Sequence, residues 1–238
     1  MPSVTPDRVV YAIGDIHGET ALLDRLHAMI RADADSRDAA RRVAVYLGDY
    51  VDRGPDSAGV VDRLIADSLP GFERVFLIGN HEEFLLQFLE VGDSMSGWFY
   101  NGGLQALESY GVELPDDGSW MSDTRVLQDA LAARLPDAHR RFLESLALFH
   151  IEGDYLFVHA GIRPGRPLRE QSRSDMLWIR NEFIHSDADH GHIVVHGHTP
   201  RDKVEIRPNR IGIDTGACYG GKLTALVLEG ETREFLQA

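Results

Sequence analysis

Seven side chains stand at the ends of short apolar runs: Asp15, His17, Asp49, Asn80, His81, His159 and His198. Carboxylate, imidazole and amide oxygen together suit borderline divalent ions such as Mn, Fe or Zn. Two such ions roughly 3.5–4 Å apart, bridged by one carboxylate, hold and acidify a water for in-line attack on phosphorus. Asp49, Asp52 and Arg53 arrive within five residues, between Gly48 and Gly54, and no packing requirement explains them. Any one of these residues alone would be an ordinary surface turn or a satisfied buried polar group. Five such sites, each directly after an apolar strand, make coincidence an inadequate account.

Those side chains need a scaffold that brings distant strand ends together. Residues 9–13 read as a first strand, closed by Gly14-Asp15-Ile16-His17-Gly18. Residues 21–30 carry Leu22, Leu23, Leu26, Met29 and Ile30 at helical spacing. A polar loop over 31–42 leads to a strand at 43–47, and residues 57–69 form another amphipathic helix stopped by Pro70-Gly71. A third strand, 74–78, ends at Gly79-Asn80-His81-Glu82. Asp15, Asp49 and Asn80 are separated by 34 and 31 residues, and a βαβ unit takes about 30. Parallel strands with helical crossovers would therefore place the three motifs on one sheet edge, where open α/β sheets bind ligands.

The middle of the chain changes character. Residues 83–90 continue as a helix with Phe84, Leu85, Phe88 and Leu89 on an apolar face. Residues 95–147 look mostly helical, with interruptions at Gly102-Gly103, Gly111 and 114–118. No flexible linker brackets this stretch, so it reads as a helical insertion (about 84–147) covering the site within a single domain, 1–238. Phe84, Phe88 and Leu104 are expected in the core, and Trp98 and Tyr100 are secondary candidates for facing the substrate. Strands follow at 149–152 and 155–158 around the Gly153-Asp154 turn, the second ending at His159-Ala160-Gly161. A short helix over 174–184 carries Asp175, Trp178 and Arg180. A strand at 193–195 enters His196-Gly197-His198-Thr199-Pro200, and further strands are expected at 204–206, 211–213 and 223–228.

Gly14-Asp15-x-His17-Gly18, Gly48-Asp49-x-Val51-Asp52-Arg53-Gly54 and Gly79-Asn80-His81-Glu82 resemble the three signature motifs of the phosphoprotein phosphatase family. These are two-metal serine/threonine phosphatases among the calcineurin-like metallophosphoesterases. His159-Ala160-Gly161 and Gly197-His198 are similar to the family's two later histidine motifs, so the resemblance runs from Gly14 to about Gly221. It implies an α/β fold, a four-layer α/β/β/α sandwich. Carried over by position, it implies that Asp15 and His17 bind a first metal, that Asp49 bridges both, and that Asn80, His159 and His198 bind the second. Manganese is the first expectation for the pair, with iron or zinc next. His81 becomes the general acid, held by Asp52, with a raised pKa expected from the carboxylate partner. Arg53 grips the phosphate oxygens in a bidentate geometry that lysine cannot copy, with Asn80 and the looser match Arg180 beside it. The implied activity is hydrolysis of phosphoserine and phosphothreonine, extending to phosphotyrosine, by a metal-bridging hydroxide and without a phosphoenzyme. A phosphorylated protein or a small phosphomonoester would be the substrate.

Departures from the family pattern bear on specificity. Many calcineurin-like enzymes carry Gly-His-x-His, but Pro200 takes the second histidine's place here, as in the phosphoprotein phosphatases, and leaves one ligand fewer. His196 matches no family ligand and is expected to be packed behind the site. His185, His190 and His192 are expected on a solvated loop. Where eukaryotic members have Ser-Ala-Pro-Asn-Tyr, this chain has Asp214-Thr215-Gly216-Ala217-Cys218-Tyr219-Gly220-Gly221. That stretch resembles the bacterial branch and the symmetrical diadenosine tetraphosphatases. Tyr219 is expected to lean over the site, and Cys218 to pack. The tetraphosphatases compared tend to have Ala at the Asp52 position and Asp at the Glu82 position, which favours a protein phosphatase. The alternatives are a symmetrical diadenosine tetraphosphate hydrolase and a catalytically silent phosphate-binding scaffold; the intact set of ligands, His81, Asp52 and Arg53 stands against the second.

Composition narrows the rest. A formal net charge of -14 argues against a nucleic-acid backbone as partner, since that needs basic surface. Cys218 is the only cysteine, so no intramolecular disulfide forms, in keeping with a reducing, cytoplasmic location. Neither a signal-peptide pattern at residues 1–8 nor a run of 18 apolar residues is present, so no membrane partner is expected.

Overall fold

Strands β1 (Arg8–Ile13), β2 (Arg41–Tyr46) and β3 (Phe72–Phe76) lie parallel and side by side, joined by helices α1 (Thr20–Asp35) and α2 (Ser57–Ile65). The computed structural model describes residues 1–92, 97–114 and 124–238. Two antiparallel strands extend the sheet beyond β1, β9 (Thr224–Glu229) and then β10 (Thr232–Gln237), giving the order β10-β9-β1-β2-β3. A second five-stranded sheet has the order β4-β5-β6-β8-β7, from β4 (Phe149–Glu152), β5 (Tyr155–Val158), β6 (Ile193–His196), β7 (Glu205–Ile206) and β8 (Arg210–Gly212). Its three inner strands β5, β6 and β8 are parallel.

The apolar strand runs follow from burial on both faces. Side chains alternate across a strand. Val10, Ala12, Val43 and Val45 therefore point to one face and meet Phe157, Val195 and Ile211 of the second sheet. Val9, Tyr11, Ile13, Ala44 and Tyr46 point the other way and pack on helices. The outer face of the second sheet, through Leu156, Val158 and Val194, is covered by Met176, Ile179, Phe183 and Ile184. This is the expected α/β/β/α arrangement of four layers.

The helical insertion belongs to the first helical layer. Its elements are α3 (Asn80–Val91), α4 (Leu104–Ser109), α5 (Arg125–Arg134) and α6 (Asp137–Glu144). Leu85, Phe88, Trp98, Leu107, Leu127 and Leu143 share one cluster with Tyr46 and Tyr50 on the first sheet's outer face. The described helices thus pack on the first sheet's outer face, and Trp98 and Gly102 of the same stretch reach Asp52 and Arg53. Trp98 is fully buried, so its ring is not open to a substrate, whereas Tyr100 is exposed. Phe88 is in the core, with Phe84 and Leu104 packed against it. Residue 95, where the mostly helical stretch of the insertion is expected to begin, and most of the break at 114–118 lie outside the described residues.

Several boundaries differ from the sequence expectation. The polar stretch after residue 30 stays helical to Asp35, where Arg37 clamps Asp33 one turn back at 2.7 Å. Leu77 leaves the third strand to bridge Ala147. The helix expected over 174–184 is two, α7 (Arg173–Trp178) and α8 (Asn181–Ile184), because Arg180 between them leaves helical geometry (φ -129°, ψ -95°). Strand β10 was not anticipated; its alternating exposed and half-buried residues form an edge. No helix among the described residues is long and apolar enough to cross a membrane.

Candidate active site

The parallel strands of both sheets deliver their motifs to one edge. Asp15 and His17 follow β1, Asp49 to Arg53 follow β2, Asn80 and His81 open α3 after β3, His159 follows β5 and His198 follows β6. All seven proposed ligand and acid positions are buried. Positive φ is concentrated here: His17 (48°), Asp49 (52°), Asp52 (73°), Arg53 (66°) and His198 (64°). Such conformations cost of order 1–3 kcal/mol each and persist only where the surroundings over-determine them. Glycine makes the close approaches possible. Gly48 has φ 96°, and a Cβ there would sit 2.5 Å from the Gly79 nitrogen.

Glu82 is the main organiser of these turns. It is fully buried, and its carboxylate accepts the N–H groups of Asp49 (2.8 Å), Gly79 (2.9 Å), Tyr50 (2.7 Å) and Val51 (3.2 Å). That fixes β2's turn against the start of α3 and leaves the Asp49 side chain between the imidazoles.

The ring tautomers follow from the backbone. His17 Nδ1–H donates to the Val51 carbonyl at 2.9 Å, and His159 Nδ1–H donates to the Leu47 carbonyl at 2.9 Å. Each Nε2 then presents a lone pair. His17 Nε2 lies 3.5 Å from Asp49 Oδ2, and His159 Nε2 lies 3.4 Å from Asp49 Oδ1. Asn80 Oδ1 sits 2.9 Å from His159 Nε2 and 2.8 Å from His198 Nδ1. Burial pushes the His17 and His159 imidazoles down to about 3, so both are neutral near pH 7 and their lone pairs face other acceptors. Groups of metal-competent atoms form around His17, Asp49 and His81 and around Asp49, His159 and His198, with Asp49 common to both.

Asp15 lies beside these groups without belonging to either. Its Oδ2 accepts the His198 N–H at 2.9 Å, while Oδ1 is buried with no partner, as is His198 Nε2. Burial, then Asp214 and Asp49, push the Asp15 carboxyl well above the usual range; burial and Glu82 do the same to Asp49. Neutral imidazoles, an amide oxygen and mutually repelling carboxylates, with Asp15 Oδ1 and His198 Nε2 buried and unpartnered, are a donor set that cations satisfy. The residues present fit divalent metal ions.

Next to this cluster, His81 Nδ1 meets Asp52 Oδ2 at 2.6 Å, and the same oxygen accepts the Trp98 indole N–H at 2.7 Å. The sequence expectation of a raised His81 pKa is not met. Burial, then the charges of His17 and Arg53, lower it, and burial raises Asp52. Arg53 reaches His17 Nε2 through Nη1 at 2.8 Å, and its guanidinium lies 5.6 Å from the Tyr219 ring. Tyr219 thus stands against Arg53 at the margin of the site. Arg180 is exposed between α7 and α8, and its charge helps to hold His159 and His198 neutral after burial has done most of that. Cys218 is half-buried, and burial pushes its thiol up to about 11. His196 is packed behind the site, Nδ1 3.0 Å from the Gly197 carbonyl oxygen and Nε2 3.3 Å from Arg210.

Three residues were visible in the sequence without the roles they play here. Glu82 was visible only as the last letter of a motif. Asp214, buried beside Asp15, offered no spacing signal. Trp98 offered only the glycines near it: Gly102, with φ 101°, turns its carbonyl to accept the Arg53 N–H at 3.2 Å.

The family described as calcineurin-like phosphoesterase matches residues 8–221. Serine/threonine-protein phosphatase 2 of Escherichia coli (strain K12) is 28% identical over 229 residues, spanning 91% of this chain and 91% of its own length. An asymmetrical bis(5'-nucleosyl)-tetraphosphatase, PrpE of Anoxybacillus flavithermus (strain DSM 21510 / WK1), is 27% identical over 234 residues, spanning 90% and 88%. Among solved structures, a cold-active protein tyrosine phosphatase shares the fold, with TM-score 0.63 and 20% identity over 98% of this chain and 81% of that one.

Proposed function

This chain belongs to the calcineurin-like phosphoesterase family, and from that premise we propose that it is a metal-dependent protein phosphatase acting on phosphoserine and phosphothreonine, extending to phosphotyrosine and small phosphomonoesters. Asp15, His17 and Asp49 would hold one divalent ion and Asp49, Asn80, His159 and His198 a second, with manganese first and iron or zinc next for this mixed donor set. Two such ions supply Lewis acidity and an acidified water at neutral pH. Arg53 and Arg180 bring guanidinium donors to the phosphate oxygens, and the Asn80 amide lies beside them. His81 offers its Nε2 proton to the ester oxygen as the P–O bond breaks, so that the leaving group departs as an alcohol. Asp52 orients that imidazole through Nδ1, and Trp98 holds Asp52 in place.

The observation that carries the reading is the held imidazole, His81 Nδ1 on Asp52 at 2.6 Å backed by Trp98 at 2.7 Å. Burial raises Asp52 and lowers His81, so the pair stays uncharged, with a protonated Asp52 donating to Nδ1 and the ring hydrogen on Nε2. A serine or threonine alkoxide is a poor leaving group and needs protonation in the transition state. A phosphoanhydride leaves as a stable phosphate anion and does not. A site for dinucleoside polyphosphates would gain little from this arrangement. The dinucleotide-cleaving relative described above is named asymmetrical, so the competing reading moves from the symmetrical to the asymmetrical hydrolase.

The test is leaving-group dependence in the manganese-loaded enzyme. His81→Asn is expected to lower kcat about 10²–10⁴-fold on a phosphoserine peptide, less on p-nitrophenyl phosphate, and least on diadenosine tetraphosphate, with metal content unchanged. Equal losses on all three, a loss of metal in parallel, or a wild-type preference for diadenosine tetraphosphate in kcat/KM overturns the assignment. Absence of all activity with both metals bound would restore the scaffold reading.

A further inference from the structure

The chain has only two lysines, Lys203 and Lys222, and both line one groove of about 840 Å³. The segment 200–204 after the His198 turn forms one wall, the turn at 215–222 forms another, and the β10 edge at Phe235 closes the far side. Arg201 adds a third cation, against the single carboxylate of Asp202. All three cationic residues are exposed, and among the described residues none of their side chains is held by an ion pair or hydrogen bond. Several arginines elsewhere are engaged within the molecule, Arg37 on Asp33, Glu229 and Glu234, Arg63 on Asp24, and Arg163 on Asp175. Others, such as Arg25 and Arg134, stand singly among the described residues, whereas the groove gathers three unpaired cations in one concave place.

The groove is joined to the catalytic edge at two points. Tyr219 lines the groove and also carries the Arg53 guanidinium over its ring. The Arg201 N–H donates to the Asp214 carbonyl at 3.1 Å, and Asp214 stands beside Asp15. A segment whose phosphate is gripped by Arg53 therefore has a short way past Tyr219 to Lys203 and Lys222. On a molecule with net charge -14, an anionic substrate is repelled from most of the surface. A concave patch of unpaired cations focuses attraction where it is wanted.

We propose that this groove is a substrate-docking subsite for an acidic stretch of the phosphoprotein, adjacent to the phosphorylated residue. The proposal rests on the protein-phosphatase reading above and adds to it a preference for acidic flanking sequence. Lys203, Lys222 and Arg201 act as positioning residues. They bind the flanking carboxylates, touch no reacting atom, and lower KM without changing the chemical step.

The experiment compares two phosphoserine peptides, one flanked by four aspartates and one by four alanines, with p-nitrophenyl phosphate as a substrate too small to reach the groove. The wild-type enzyme is expected to favour the acidic peptide about tenfold in kcat/KM, mostly through KM, with the preference shrinking as salt is raised. Lys203→Glu/Lys222→Glu is expected to abolish or invert that preference and leave kcat on p-nitrophenyl phosphate unchanged, which also reports an intact fold. Equal use of both peptides by the wild type, or a preference that survives charge reversal, overturns the groove while leaving the phosphatase reading standing. Hydrolysis of p-nitrophenyl phosphate but of neither peptide overturns both. If charge reversal lowers kcat/KM on diadenosine tetraphosphate and leaves the peptides alike, the groove serves a polyphosphate chain and the peptide proposal fails.

Discussion

Where β1, β2 and β3 end, the backbone turns under constraint: His17, Asp49, Asp52 and Arg53 all hold positive φ, and the single Glu82 carboxylate collects four main-chain N–H groups. Where β5 and β6 end, the second sheet offers one imidazole at each strand, and among the non-glycine residues of those two turns only His198 has positive φ. Moreover, those two rings take their orientation from the other half. His159 donates to the Leu47 carbonyl, the His198 backbone N–H donates to the Asp15 carboxylate, and both rings face Asn80. The first sheet builds a self-supporting frame, and the second closes it. The covering helices differ in the same sense. The first layer reaches in through Trp98 and Gly102 to hold Asp52 and Arg53, whereas the second contributes the short α7 and α8, with Arg180 between them.

The sharpest way to break this asymmetry is to remove one ligand position from each half. Asp49→Asn takes charge from both groups of metal-competent atoms. It is expected to lower kcat by about 10³-fold or more, the equivalent of several kcal/mol of lost charge stabilisation, with bound metal falling in elemental analysis. His198→Ala removes one imidazole from the closing half, and is expected to cost about 10–100-fold in metal affinity, recoverable by added metal. Full rescue of Asp49→Asn by added metal would contradict the frame-and-closure picture.

A second comparison uses a buried imidazole away from the reacting centre in each half. His27 lies under the first sheet, 2.9 Å from the Tyr46 hydroxyl, and His196 under the second; burial lowers each to about 4. A folded-state pKa below the unfolded value near 6.5 means that the unfolded chain binds the proton first. The stability each neutral ring carries is therefore complete above pH 6.5 and lost as pH falls toward 4, by an order of magnitude of about 3 kcal/mol per ring. Urea midpoints measured across that window should fall for the wild type. His27→Gln and His196→Gln should each flatten the slope to a similar degree; an unchanged slope in the double variant would assign the acid sensitivity elsewhere.

The smallest effect probes the insertion alone. Trp98→Phe keeps the ring but removes the N–H that holds Asp52, and about tenfold is expected in kcat on a phosphoserine peptide, with a lesser change on p-nitrophenyl phosphate. The same loss on both substrates would make Trp98 a packing residue only.

The first half was legible because its function is written in contiguous turns. Asp49, Asp52 and Arg53 lie within one loop, and their spacing survives any tertiary arrangement. The parallel order of β1, β2 and β3 could likewise be read from apolar runs and crossover lengths. His159 and His198 were legible only as members of a pattern, since one imidazole after a strand says little by itself. Trp98 read as a possible substrate contact because helical periodicity gives a face but not what that face meets. Arg180 was expected within one helix, yet it sits in the break between two.

The amino-acid order by itself determined the ligand types and the strand-end placement, because these depend on local chemistry and on alternation along the chain; the four-layer architecture was implied only by the resemblance that the motifs carry. Only the tertiary structure decided that Glu82 would tie four N–H groups, that Trp98 would reach Asp52 across 46 residues, and that the chain's only two lysines would line one groove beside Tyr219. Each is a meeting of residues distant in sequence, fixed by how buried surfaces pack and by which partners satisfy polar groups taken out of water.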